Sequence, residues 1–197
     1  MNHWRDCIVV LLDLVGVKNR ALDDNFSASK LMRNFHKIVY REMTDGLKAL
    51  DHAYVWNDSV LLLAYVDGRS HIYGDALHAA DALKRKVDRI SPSYAIAVKG
   101  RAFPSNASRN NPRFTAIAAS SYAMANCFAI EAEARSSKLR KAWYIDARIA
   151  RQFLPAKSLD WINLPLLPGG KCRRVYLHRG HILGAPTSHD VSDRPRK

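Results

Sequence analysis

Two apolar runs, each bounded by an aspartate, constrain this chain more than anything else in it. The first, Ile8-Val9-Val10-Leu11-Leu12, ends on Asp13, and the second, Val60-Leu61-Leu62-Leu63-Ala64, is preceded by Asp58-Ser59. Both are short, unbroken and rich in branched side chains, the pattern of strands buried on both faces. An ionised carboxylate at the end of such a strand costs free energy unless it is paired, hydrogen-bonded or holding a metal. Two such acids are informative only if the fold brings them together, so the order of elements decides their weight.

That order reads as follows. Residues 7–14 predict a strand, closed by Gly16. Residues 27–49 predict a helix, capped by Ser27 or Ser29, with Leu31, Phe35, Ile38, Val39 and Met43 at helical spacing. Residues 53–57 and 59–66 predict two strands joined by a tight Asn57-Asp58 turn, with Asp67-Gly68 ending the second. A second helix covers 74–90, with Ala76, Leu77, Ala80, Leu83 and Val87 on one face, and 94–102 returns as a strand. The sum is βαββαβ, a ferredoxin-like α/β core. In that topology the first and third strands are antiparallel neighbours, so Asp13 and Asp58 reach the same edge of the sheet. Further along, 104–113 is a polar loop, 117–135 an Ala-rich helix, 142–146 a strand and 147–154 a short helix. A last strand or hairpin over 173–183 follows the Pro168-Gly169-Gly170 turn. The reading is one domain over 1–185 and a polar, disordered tail over 186–197.

Charge narrows the partners. Thirty-one Lys and Arg against 18 Asp and Glu leave a net +13, which favours an anionic partner: a nucleotide, a nucleic acid or a membrane surface. The basic residues are spread from Arg33 and Lys37 through Lys84-Arg85-Lys86 to Arg173-Arg174, a generally positive surface with no single basic arm. Cys7, Cys127 and Cys172 are odd in number and far apart, without a CxxC pair, as expected of buried free thiols in a reducing cytoplasm. No apolar run approaches the ~18 residues of a membrane span, and no signal segment opens the chain, so no membrane partner is expected.

Two carboxylates at one end of such a sheet are suited to holding Mg²⁺ or Mn²⁺ for in-line displacement at phosphorus. Between Asp13 and the first helix, the segment Leu14-Val15-Gly16-Val17-Lys18-Asn19-Arg20 offers a turn whose backbone N–H groups face a triphosphate, with Gly16 permitting close approach and Lys18 or Arg20 adding charge. The same acids also suit a plainer role, Asp13 capping the following turn and Asp58 filling a hairpin position that favours Asx residues. A ferredoxin-like RNA-binding module is a competitor. The run Ser59–Val66 lacks the basic-Gly-aromatic pattern that such a module stacks bases on, so nucleic acid is allowed by the charge but not favoured. His178 and His181, lacking Cys or carboxylate support, read as turn or surface residues.

Asp13-Leu14-Val15-Gly16-Val17 resembles the D-[IL]-x-G-[FV] segment of class III nucleotidyl cyclases, and Asn57-Asp58-Ser59-Val60-Leu61 resembles their G-D-x hairpin, with Asn for Gly. Tyr122-Ala123-Met124-Ala125-Asn126, followed by Ile130-Glu131, is similar to the helix after the family's G-x-x-[VL]-N segment. The likeness covers about residues 6–150. It implies a homodimer that converts a nucleoside triphosphate to a 3′,5′-cyclic nucleotide and pyrophosphate. Asp13, Asp58 and the carbonyl of Leu14 would then bind the metals, with Gly16 and Lys18 at the substrate. Two positions depart from the family. The base-selecting Lys or Glu is replaced by Tyr54, which suits a smaller, pyrimidine base. The transition-state pair maps to Asn126 and Ile130, leaving Arg135, Arg140 or an arginine from a second subunit to supply the charge. These departures resemble the compact, divergent bacterial cyclases, including the pyrimidine cyclases of anti-phage signalling, and equally a homologue without activity.

Overall fold

The computed structural model describes residues 4–45, 48–102, 122–136, 142–154, 160–164, 173–178 and 182. In chain order these form β1 (Arg5–Leu14), α1 (Val17–Asp23), α2 (Asn25–Asp45), β2 (His52–Trp56), β3 (Ser59–Tyr65), α3 (His71–Asp88) and β4 (Ser93–Ala102). There follow α4 (Tyr122–Ser136), β5 (Trp143–Asp146), α5 (Ala147–Phe153), β6 (Asp160–Leu164) and β7 (Arg173–His178). The described strands join in one sheet of order β2-β3-β1-β4-β5-β7-β6. β1 lies antiparallel to both β3 and β4, whereas β4 and β5 run parallel.

The unbroken apolar runs have a simple cause: both faces of the inner strands are covered. Ile8, Val10 and Leu12 point to one side, into a core with Leu31, Phe35 and Val39 of α2, Ala76, Leu77 and Leu83 of α3, and Ile149 of α5. Cys7, Val9 and Leu11 point to the other, where Ala123, Cys127 and Ile130 of α4 close a second core. Each fully buried Val, Leu or Ile contributes about 1.5–3 kcal/mol through removal of apolar surface from water. α4 sits close on the sheet because Gly100 of β4 has no side chain. A Cβ built there would meet Ala123 Cβ at 2.8 Å. On the opposite layer, the buried carboxylate of Asp81 accepts from the indole Nε1 of Trp143 at 3.0 Å and from Arg85 Nε at 2.8 Å, tying α3 to β5.

The expected βαββαβ core is present, with differences at its joints. The turn expected after Asp13 continues as α1, which Gly16 (φ +80°) opens and Asp24 (φ −150°) ends, and the helix expected over 27–49 runs Asn25–Asp45. The cap of α2 is Asp24, whose Oδ1 accepts the Ser27 N–H at 3.1 Å, rather than Ser27 or Ser29. A carboxylate reaching the third backbone N–H of a helix fills this role well. β6 was not expected, because Asp160-Trp161-Ile162-Asn163-Leu164 carries only a faint alternation. It is recognisable chiefly by pairing with β7. The loop at 104–113, the start of the helix expected from 117, the Pro168-Gly169-Gly170 turn and the tail at 186–197 lie outside the described residues.

Candidate functional site

Asp13 is the penultimate residue of β1, opposite Ser59 of β3 on one side and Tyr94 of β4 on the other. Alternation from Cys7, Val9 and Leu11 puts its side chain on the α4 face. It is 3% exposed, and its Oδ1 accepts a hydrogen bond from the Ser59 hydroxyl. One residue later the Leu14 N–H donates to the Asp58 carbonyl at 3.0 Å, and the Val15 N–H to that of Pro92 at 2.8 Å. The end of β1 is therefore stitched to the turn that carries Asp58.

That turn is Asn57-Asp58, between the paired residues Trp56 and Ser59. Asn57 takes the left-handed conformation (φ +45°), which asparagine tolerates better than most residues. From α2, His36 Nε2 lies 2.6 Å from the Asn57 carbonyl and donates to it. The half-buried Asp58 is thus held from two sides through backbone contacts, and the register places it one residue from the partner of Asp13.

Around the two acids the α4 face carries polar and aromatic groups. The Tyr94 hydroxyl donates to Glu131 of α4 at 3.0 Å. Tyr54, half-buried on β2, packs against the α4-side core, and burial raises its phenol above the ordinary range, so it is protonated at neutral pH. Tyr54 pairs with Leu61 and shares the α4 face of the sheet with Asp13. His52 stacks beside Tyr54 with centroids 6.1 Å apart, while Trp56 and Phe128 of α4, both partly exposed, meet at 6.2 Å.

Asn126 is half-buried on α4. Ile130, one turn later, is 1% exposed and belongs to the core between α4 and the sheet, so the position holds a packing residue where the family pattern has an arginine. Arg135 belongs to α4, but its side chain, like all of Arg140, lies outside the described residues. Gly16 and Lys18 are exposed at the start of α1. Ser59, Tyr94, Glu131 and His36 went unassigned in the sequence. The signal for Ser59 was its place next to Asp58, but its contact with Asp13 depends on register.

Among the described residues no cluster of three or more His, Cys, Asp or Glu side chains gathers as a metal cage. The donor set here is two carboxylates with the neighbouring main chain, all hard oxygen donors of the type Mg²⁺ and Mn²⁺ prefer. Such ions usually complete their shell with phosphate oxygens and water. In donor type, Asp13, Asp58 and the Leu14 carbonyl suit such an ion beside a triphosphate.

No protein-family model and no curated protein matches the sequence. Solved structures match the fold. The adenylyl cyclase CyaB from P. aeruginosa superposes with a TM-score of 0.66 over 93% of this chain and 100% of that one, at 8% identity. The guanylyl cyclase Cya2 gives 0.63 over 95% and 97%, also at 8% identity. A bacterial light-regulated adenylyl cyclase gives 0.62 over 88% and 90%, at 13% identity. The chain has the α/β fold of these cyclases along nearly its whole length.

Proposed function

We propose that the protein is a cytoplasmic nucleotidyl cyclase that acts as a homodimer, with a pyrimidine nucleoside triphosphate as its favoured substrate. What supports this reading is the bond from the Leu14 N–H to the Asp58 carbonyl, which joins the end of β1 to the turn that carries Asp58, on a sheet with the fold of cyclases. In the reaction the ribose 3′-oxygen bonds to the α-phosphorus and loses its proton, while the bond from that phosphorus to the β-phosphate's bridging oxygen breaks and pyrophosphate leaves. Asp13, Asp58 and the Leu14 carbonyl would hold a divalent cation, which would supply charge neutralisation for the phosphates and acidify the 3′-hydroxyl, whose proton passes to water.

The chain's own groups prepare that site. The Ser59 hydroxyl fixes one oxygen of Asp13 and leaves the carboxylate in a single orientation. Gly16 and Lys18, exposed at the start of α1, would receive the polyphosphate tail, and the protonated Tyr54 hydroxyl would both donate to and accept from the O2 or O4 edge of a pyrimidine. Asn126 orients the phosphorus, with charge from Arg135 or an arginine of a second copy. The likeness to compact bacterial cyclases extends the proposal to a signalling product in anti-phage defence.

The test is mass spectrometry of products after incubation with each of the four ribonucleoside triphosphates and Mg²⁺ or Mn²⁺. Cyclic UMP or CMP is expected from the wild type and from neither Asp13→Asn nor Asp58→Asn. Turnover of ATP alone overturns the pyrimidine assignment, and activity in both variants overturns the metal site. Burial of Ile130 favours a second reading, a cyclase-fold protein without activity. The absence of product from every triphosphate, with folded dimer present, establishes it.

A further inference from the structure

α2 has two unlike halves. Leu31, Phe35 and Val39 are consumed by the core, and Glu42 turns toward α3, where it pairs with Lys86 at 2.5 Å. At about 100° per residue, Phe26, Lys30, Arg33, Asn34, Lys37 and Tyr40 share the opposite face within about a third of the helix circumference. From Asn25 to Arg41 the sequence contains no acid. Among the described residues, no carboxylate pairs with Lys30, Arg33 or Lys37, and all three are exposed. Phe26 and Tyr40 stand 74% and 75% exposed at the two ends, about 21 Å apart along the axis at 1.5 Å per residue. A shallow hollow of about 300 Å³ runs between Phe26, Lys30, Arg33, Asn34 and Lys37.

We propose that this outward face of α2 binds single-stranded nucleic acid, with Lys30, Arg33 and Lys37 along the phosphates and Phe26 and Tyr40 beneath unstacked bases. A row of cations spaced by one helical turn, ending in exposed rings, is the chemistry of a stacking platform beside a charged track. Asn34, within the hollow, adds a donor and an acceptor for a sugar or base edge. A lipid surface fits less well, because an interfacial helix sinks an apolar half into the bilayer and α2 has already given that half to the core. The proposal stands on a different face from the two aspartates and is independent of the cyclase reading.

The experiment is fluorescence anisotropy of the full chain with a labelled, mixed-sequence RNA single strand of about twelve nucleotides, titrated across salt concentrations. The wild type should bind with an affinity that falls steeply with salt. The Lys30→Gln/Arg33→Gln/Lys37→Gln variant should bind more weakly and reduce the log–log salt slope by about 2, at about 0.7 per lost phosphate contact. Phe26→Ala and Tyr40→Ala should each weaken binding about tenfold while leaving the slope unchanged. Lys48→Gln/Arg69→Gln/Arg89→Gln removes the same charge from exposed positions elsewhere and should stay within about twofold of wild type, as should Asp13→Asn. The proposal is overturned if the α2 triple variant keeps the wild-type slope or the dispersed triple variant loses as much. It is also overturned if duplex RNA of equal length binds as tightly, or if phosphatidylserine vesicles are bound and the single strand is not.

Discussion

At the residue scale, the pair Ser59 and Asp13 is the most sensitive point of the site. Both are nearly inaccessible to water, so Ser59→Ala removes a hydroxyl partner of a buried carboxylate oxygen. The expected cost is about 1–3 kcal/mol of stability, seen as a lower urea midpoint, with a fall in kcat of about tenfold in the product assay. On the proposed pyrimidine reading, Tyr54→Ala should shift turnover away from UTP and CTP more than it alters the response to Mg²⁺ or Mn²⁺, measured as competing turnover of UTP, CTP, ATP and GTP. Cys7 offers a contrast. Burial pushes its thiol up to about 12, so an aromatic disulfide reagent should label it only after denaturation, as peptide mapping would reveal. The two aspartates were legible in the sequence because an acid against an apolar run is conspicuous. The groups that hold them were not. Tyr94, His36 and Glu131 are ordinary residues in ordinary stretches, and only register and helix docking give them partners.

Among the elements, α4 depends most on a single absent side chain. Gly100→Ala would drive a methyl group into Ala123, whose Cβ and main chain lie 2.8 and 3.1 Å away. The expected loss is about 1–3 kcal/mol with displacement of α4, and Ala123→Gly should restore part of it because the main-chain contact remains. Tryptophan fluorescence during urea unfolding measures both. On the other layer, Asp81→Ala leaves the buried Trp143 indole without the acceptor at 3.0 Å and should cost about 1–3 kcal/mol, while the half-exposed Arg85 keeps its bond to the Ile182 carbonyl and its access to water. The strands and long helices were readable from their apolar periods. Their joints were harder. α1 stands where a turn was expected, because seven residues with Val17 as their one buried side chain are too few for an apolar period to show. The five residues of β6 needed β7 beside them to count as a strand.

For the molecule as a whole, alkaline pH is the condition that should weaken it. Cys7 is raised from about 9 and Tyr73 from about 10, each to about 12, chiefly by burial, and Tyr54 and Tyr65 are raised in the same direction. Each group holds its proton more tightly when folded, so the stability it contributes is complete below its ordinary value. That contribution drains away between about pH 9 and 12, as the unfolded chain ionises first. Urea midpoints should therefore be flat near neutrality with respect to these groups and fall above pH 9, with Cys7→Ala delaying the onset. A second expectation concerns assembly. The partly exposed pair Trp56 and Phe128 flanks the candidate site, and Trp56→Ser/Phe128→Ser should shift sedimentation from dimer to monomer if that face meets a second copy. The strand order has its own consequence for how the molecule breathes. β1 is bracketed by β3 and β4 and sealed above and below, so its amides should take up deuterium only through global opening, while those of β6, paired on one side, should exchange by local fraying. Asp13 therefore rides on the slowest-opening strand and Asp58 on a turn at its edge. The two aspartates of the proposed site should separate many times before the fold that joins them comes apart.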